Sequence, residues 1–242
     1  MKILCLQHAR VEHPGRFREF LAEDGHEWFP VELDEGETPP SLDEFDALWV
    51  LGGPMDVWQE AEHPWLKEEK ALIKEAVANR GMPYLGLCLG HQLLAEALGG
   101  TVGPSKTPEI GVLDVQLTEV GANGVFFDDL PPVFPALQWH SAEVTQMPAG
   151  AHCLATSPDC AVQAMAWENT AYSVQFHLEV EADTVDNWAK IPAYANALQG
   201  AMGADGVAKL NAACDADMRK FEVMAERVYI NWLQTAAKAR VR

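Results

Sequence analysis

Residues 83–92, Pro-Tyr-Leu-Gly-Leu-Cys-Leu-Gly-His-Gln, constrain the chain more than any other stretch. Tyr84 to Leu87 is a short apolar run, Cys88 and Gly90 follow, and an amphipathic stretch over Leu93 to Leu98 closes at Gly99-Gly100. That order predicts a strand, a sharp turn and a helix. A residue on such a turn lies at the carboxyl end of a parallel strand, where ligands bind in open α/β sheets. Backbone N–H groups and the helix dipole favour negative charge there, which draws a cysteine toward its thiolate. Cys88 is therefore the candidate nucleophile. Gly86 and Gly90 flank it where strained dihedrals and a close strand–helix approach leave no room for a Cβ. A buried structural cysteine at a strand end is the plainer alternative.

The chain around this elbow reads as the start of a doubly wound sheet. Lys2 to Gln7 is a buried-strand pattern, followed by a helical pattern around Phe17, Phe20 and Leu21 that ends at Asp24-Gly25. Trp28 to Leu33 is a second strand, Asp34 to Ser41 a loop, and Asp46 to Leu51 a third apolar run stopping at Gly52-Gly53-Pro54. Trp65 to Asn79 is a surface helix leading into the strand at Tyr84. From Thr101 to Ala166 the pattern changes to short alternating runs: Gly111 to Leu117, Ala136 to His140, Val144 to Met147, Cys153 to Thr156 and Val162 to Trp167. These predict antiparallel strands beside the parallel sheet. Tyr172 to Phe176 is a last strand that ends at His177-Leu178-Glu179.

The expected fold is thus α/β, a flavodoxin-like, mainly parallel sheet with added antiparallel strands and a C-terminal helical extension. Its domain spans residues 1–182, and residues 183–242 form helices packed on the same domain, with breaks at Gly200, Gly203 and Gly206. Leu210, Cys214, Met218, Phe221, Met224, Ala225 and Val228 recur there at helical spacing, a stripe that reads as core or lid. Lys238, Arg240 and Arg242 read as a solvated C-terminal turn.

Charge bounds the partners. With 17 basic and 36 acidic residues the net charge is −19, which argues against nucleic acid or an anionic membrane surface, since phosphate contacts need a basic footprint. The five cysteines are odd in number and lack CxxC spacing, as expected of reduced thiols in a cytoplasmic protein. The opening apolar run is too short for a signal peptide, and no later run reaches bilayer-spanning length. No cofactor and no metal is expected, because the histidines do not cluster at ligand spacing.

A cysteine nucleophile needs a base, and the base needs an orienting acceptor. Of eight histidines, His177 alone follows a predicted core strand with a carboxylate, Glu179, two residues on and so facing the same way. His91, His8, His13, His26, His63 and His152 read as structural. The N–H of Leu89, just after the nucleophile, is one natural oxyanion donor, and Gly52-Gly53 at a neighbouring strand end can bring a second amide close.

Together, Gly86-Leu87-Cys88-Leu89-Gly90-His91-Gln92, the Gly-Gly-Pro and Gln175-Phe176-His177-Leu178-Glu179 resemble the class I glutamine amidotransferases in order and separation, over about Lys2 to Val180. The nearest flavour is the free-standing GMP-synthase-like amidotransferase. The resemblance implies that Cys88 forms a γ-glutamyl thioester, His177 is the base and Glu179 orients it. It implies that Gly53 and Leu89 supply the oxyanion hole and that Gly52 and Gln92 are substrate-binding, Gln92 contacting the glutamyl group. Trp139, His140 and Ser141 resemble the stretch whose backbone receives the amino-acid end of glutamine. Leu178 stands where the family usually has Pro, and Ala142, followed by Glu143, where an Asp is common, which leaves the α-amino contact open. Three functions remain: glutamine amide hydrolysis with ammonia passed to a synthetase on a separate chain, stand-alone hydrolysis of a γ-glutamyl peptide or conjugate, and non-catalytic binding on this fold.

Overall fold

Runs such as Ile3 to Leu6 and Leu48 to Val50 are apolar at every position, so they suit strands covered on both faces. The computed structural model, which describes residues 1–239, gives them that setting. Its strands in chain order are β1 (Lys2–Gln7), β2 (Glu27–Glu32), β3 (Ala47–Val50), β4 (Tyr84–Leu87), β5 (Thr101–Leu117), β6 (Val133–Gln146), β7 (Ala151–Thr156), β8 (Ala164–Trp167) and β9 (Ala171–Val174). The helices are α1 (Phe17–Glu23), α2 (Trp65–Lys74), α3 (Leu89–Ala97), α4 (Glu119–Ala122), α5 (Thr184–Trp188), α6 (Pro192–Met202) and α7 (Gly206–Ala239). All nine strands form one sheet in the order β2-β1-β3-β4-β9-β8-β7-β5-β6. The first five are parallel, in the flavodoxin-like order, and the remaining pairings are antiparallel.

Alternate residues of β1 and β3 point into two cores. Leu4, Leu6, Leu48 and Val50 meet Leu66, Ile73, Leu93 and Leu94 of α2 and α3. Ile3, Cys5 and Trp49 meet Phe17 and Leu21 of α1 and Phe221 and Trp232 of α7. The tail is therefore part of the main core. Trp232 packs edge-on to Trp49 at 5.1 Å and donates its indole N–H to the Tyr84 carbonyl at 3.0 Å. Leu210, Cys214, Phe221, Met224, Ala225 and Val228 are buried.

Several boundaries differ from expectation. Two predicted strands, Ala136 to His140 and Val144 to Met147, are one strand, β6, and its partner β5 begins ten residues before Gly111. The pairing skips between Pro104 and Glu109, where prolines cannot donate to a ladder. The helix over 65–79 leaves α geometry after Lys74, its last turn Glu75–Asn79 being a π-helix. Gly200 is not a break; α6 runs through it and stops at Gly203, whose φ of +79° suits glycine. Lys238 lies within α7, and Arg240 and Arg242 fall outside the described residues.

Candidate active site

Cys88 lies between β4 and α3, as the residue capping the helix, with φ +50° and ψ −102°, a conformation that a non-glycine residue holds only when its surroundings over-determine it. Those surroundings are visible. The Cys88 N–H donates to the Val174 carbonyl at 2.8 Å, and Gly90 N–H to the Leu51 carbonyl at 3.2 Å, so neighbouring strand ends fix the turn from both sides. A Cβ on Gly90 would stand 2.0 Å from the Val50 carbonyl oxygen, and one on Gly86 would stand 2.7 Å from the Gly90 oxygen. Both glycines are therefore required by close approach, as the sequence spacing implied. Leu89 opens α3 and has no carbonyl one turn back in the helix for its N–H.

His177 comes from the segment after β9. It is pinned to β6 by a reciprocal backbone pair with Leu137, His177 N–H to Leu137 O at 2.9 Å and Leu137 N–H to His177 O at 3.1 Å. Its Nδ1 meets Glu179 Oε1 at 2.5 Å, while Glu179 Oε2 accepts from the Leu178 N–H at 3.0 Å. Burial alone lowers the His177 pKa; the Glu179 carboxylate and a hydrogen bond to Cys88 outweigh it and hold the ring well above the ordinary histidine value. Trp188 packs edge-on to the imidazole at 4.6 Å, bringing α5 into the site.

Gly53, Cys88, Leu89, Gln92, Trp139, His140, Ser141 and Ala142 line one cavity of about 310 Å³, the size of a small-molecule site. His177, Glu179 and Gly52 do not line it, contrary to the expectation that Gly52 contacts substrate; the Gly52 carbonyl accepts instead from His8 Nδ1 at 2.8 Å. His8 Nε2 meets Glu69 at 2.9 Å, so a buried His–Glu pair holds the Gly-Gly loop. His91 is tied into the core: it bonds Ser173 and the Val162 carbonyl, and burial lowers its pKa to about 3. Gln92 commits both amide protons, to Gln175 Oε1 at 3.0 Å and Ala142 O at 3.3 Å, leaving its carbonyl oxygen for the cavity. Gln175 in turn donates to Cys88 Sγ at 3.5 Å.

Sequence reasoning missed several contributors. Ala193, Tyr194 and Ala197 of α6 form one wall of the cavity, and Asp56 with Gln59 another. Burial raises the Asp56 carboxyl above the usual carboxylate range. Glu12, 3% exposed, accepts from Tyr194 Oη at 2.5 Å, tying α6 to the loop after β1. Burial raises its pKa against the lowering pull of His177 and the Tyr194 hydroxyl. The α6 residues sit in a predicted helical region that gives no sign of a cavity wall, and no local pattern marks Glu12. Glu109, His140 and Cys160 also converge in the fold, although far apart in sequence.

A cysteine on a strand–helix elbow with a carboxylate-held histidine beside it, at the carboxyl edge of a flavodoxin-like sheet, is an arrangement with the chemical groups that acyl transfer through a thiol requires. The family is then fixed by comparison: residues 24–188 match the glutamine amidotransferase class-I family, and the chain belongs to it. It is 32% identical over 191 residues to the glutamine amidotransferase-like protein YfeJ of Salmonella typhimurium, covering 77% of this chain and 79% of that one. It is 34% identical over 152 residues to a glutamine-hydrolyzing GMP synthase subunit of Sulfolobus acidocaldarius, covering 62% of this chain and 76% of the relative. A glutamine amidotransferase structure from Thermotoga maritima superposes with a TM-score of 0.84 over 98% of both chains at 28% identity. One from Methylobacillus flagellatus gives 0.85 over 97% of this chain and 94% of its own, also at 28% identity. Among the described residues no helix is long and apolar enough to cross a membrane.

Proposed function

We propose that the protein hydrolyses the side-chain amide of glutamine through Cys88, His177 and Glu179. The observation that carries this reading is the strained Cys88 elbow facing the cavity with His177, held by Glu179, hydrogen-bonded to it. The Cys88 sulfur attacks the γ-carbonyl, and the oxyanion that forms meets the N–H groups of Leu89 and Gly53. His177 gives its proton to the leaving amine, releasing ammonia and a γ-glutamyl thioester. It then takes a proton from water, which attacks the thioester to give glutamate and the free thiol. Trp139, His140 and Ser141 line the end of the cavity that takes the amino-acid group.

Ala142 offers that group no carboxylate. Among the described residues, Asp56 is the acid lining the cavity, and it takes the α-ammonium in this reading. A synthetase on a separate chain is the expected acceptor of ammonia, by analogy with the relatives named as subunits of GMP synthase.

The test is turnover by the purified protein of glutamine against a panel of γ-glutamyl peptides, with Cys88→Ser as control. Ammonia release from glutamine that disappears in Cys88→Ser is the expected result. Cleavage of the γ-glutamyl peptides with no glutaminase activity would overturn it in favour of a stand-alone γ-glutamyl hydrolase. Asp56→Asn should raise KM for glutamine with kcat little changed, and leave KM unaffected for a γ-glutamyl compound whose α-amino group is acylated.

A further inference from the structure

Behind the cavity wall, β5 and β6 place Glu109 directly opposite His140, and the turn after β7 brings Cys160 to the same point. The three are 3%, 5% and 1% exposed, and their ligand atoms lie within 4.8 Å of one another. We propose that Glu109, His140 and Cys160 bind a divalent transition-metal ion of the zinc type.

The hydrogen-bond geometry of His140 points to the ligand. Its Nδ1 lies 3.0 Å from the Ala142 carbonyl oxygen, which only accepts, so Nδ1 bears the proton and Nε2 turns the other way. Nε2 is then 3.1 Å from Glu109 Oε2, yet it is a buried nitrogen without a hydrogen-bond partner, because the two groups are not aligned for one. The His8–Glu69 pair shows the contrast. There, Nε2 and the carboxylate are at 2.9 Å with hydrogen-bonding alignment, and a proton fills the gap. At His140 the ring nitrogen and the carboxylate oxygen instead share their surroundings with a sulfur, that of Cys160, within 4.8 Å of both. Two donors on one tetrahedral zinc stand roughly 3.3–3.6 Å apart, from Zn–N near 2.0 Å and Zn–S near 2.3 Å. The 3.1 Å His–Glu separation is a few tenths of an ångström short of such an edge, and Cys160 supplies the third donor after a small side-chain adjustment.

The surroundings are those of a ligand set. A metal-bound histidine characteristically donates its other N–H to a backbone carbonyl, as His140 does to Ala142. Glu109 is oriented by Ser157, whose hydroxyl donates to Oε1 at 2.7 Å, and by Gln163, whose amide donates to Oε2 at 2.6 Å. Cys160 N–H donates to the same Ser157 oxygen at 3.0 Å, so one short turn carries both a ligand and the groups that hold another. Thiolate, imidazole and carboxylate together suit Zn²⁺ and Co²⁺ rather than Mg²⁺ or Ca²⁺. On binding, the sulfur–proton bond of Cys160 breaks, the proton leaves to solvent and the sulfur lone pair bonds the metal.

The test is done on full-length Cys88→Ser protein, which removes the second cysteine–histidine–glutamate set of the molecule. After chelator treatment, Co²⁺ is titrated anaerobically while the near-ultraviolet thiolate-to-cobalt band is followed. One equivalent per chain with that band, displaced by Zn²⁺, is expected. Adding Cys160→Ser should abolish the band, and Gln163→Leu should weaken binding by about 10–100-fold by loosening the carboxylate. Should either variant fail to fold, X-ray absorption of the zinc-loaded Cys88→Ser protein decides alone, one sulfur in the zinc shell being expected. No binding, a band that survives Cys160→Ser, or a shell of nitrogen and oxygen only would overturn the proposal and leave His140 and Glu109 as a buried ion pair. None of these readouts depends on glutaminase activity.

Discussion

Gly90→Ala is the sharpest single test of how the elbow is built. The added methyl would sit 2.0 Å from the Val50 carbonyl oxygen and 2.7 Å from its carbon, both backbone atoms that cannot turn aside. Relieving the contact to about 3.0 Å, the shortest distance real Cβ atoms show, requires α3 and β3 to part by about 1 Å. Overpacking of this kind costs about 1–3 kcal/mol, and the same displacement carries the Leu89 N–H and the Cys88 sulfur off their common target. A 1 Å misplacement at a reacting centre is worth on the order of 10²-fold in rate. The expected outcome is a lower Tm and a fall of about 10²-fold in kcat for ammonia release from glutamine, measured by a coupled glutamate assay. The chemical groups all remain, so the loss is one of position alone. A variant with kcat within about threefold of the parent would show that the close approach of α3 to β3 does not set the elbow, and the geometric argument would fail.

Three further variants test the same structure. Gly200→Ala, in the last turn of α6 with nothing within 4 Å of its new methyl, should stabilise the protein by about 0.4–1 kcal/mol in denaturant melts, the opposite sign from Gly90→Ala. Glu179→Gln can accept from the His177 ring or from the Leu178 N–H but not both, so kcat should fall on the order of 10⁴-fold with KM little changed. His177 is raised in the folded state, so its contribution to stability is complete below its ordinary pKa and disappears as pH rises through the raised value. The Tm gap between parent and Glu179→Gln should therefore narrow toward high pH. Glu12 is also raised, mainly by burial, so its contribution is present below the ordinary carboxylate range and is lost as pH rises through its folded value. Glu12→Gln keeps an acceptor for Tyr194 and should raise Tm at pH 8 while changing little at pH 4.

What the sequence revealed and what it hid divide along a physical line. The elbow was legible because Cys88 is constrained by its own φ and ψ, and Gly86 and Gly90 by the close strand–helix approach that any such turn imposes, so the required residue types fall within a few positions. His177 and Glu179 were legible for a similar reason, since i and i+2 off a strand end share a direction whatever the partner. The strand boundaries near Pro104 and Gly111 were not, because whether an alternating run continues depends on a partner's register rather than on its own residues. Glu12 with Tyr194, 182 positions apart, and Glu109 with His140 and Cys160 meet only through that register and through the return of α6 over the cavity. A search for metal ligands at fixed sequence spacing assumes that one loop or helix carries them. Here cross-strand pairing supplies Glu109 opposite His140 and a separate turn supplies Cys160, so spacing gives no sign of the cluster, and the unpartnered Nε2 of His140 does.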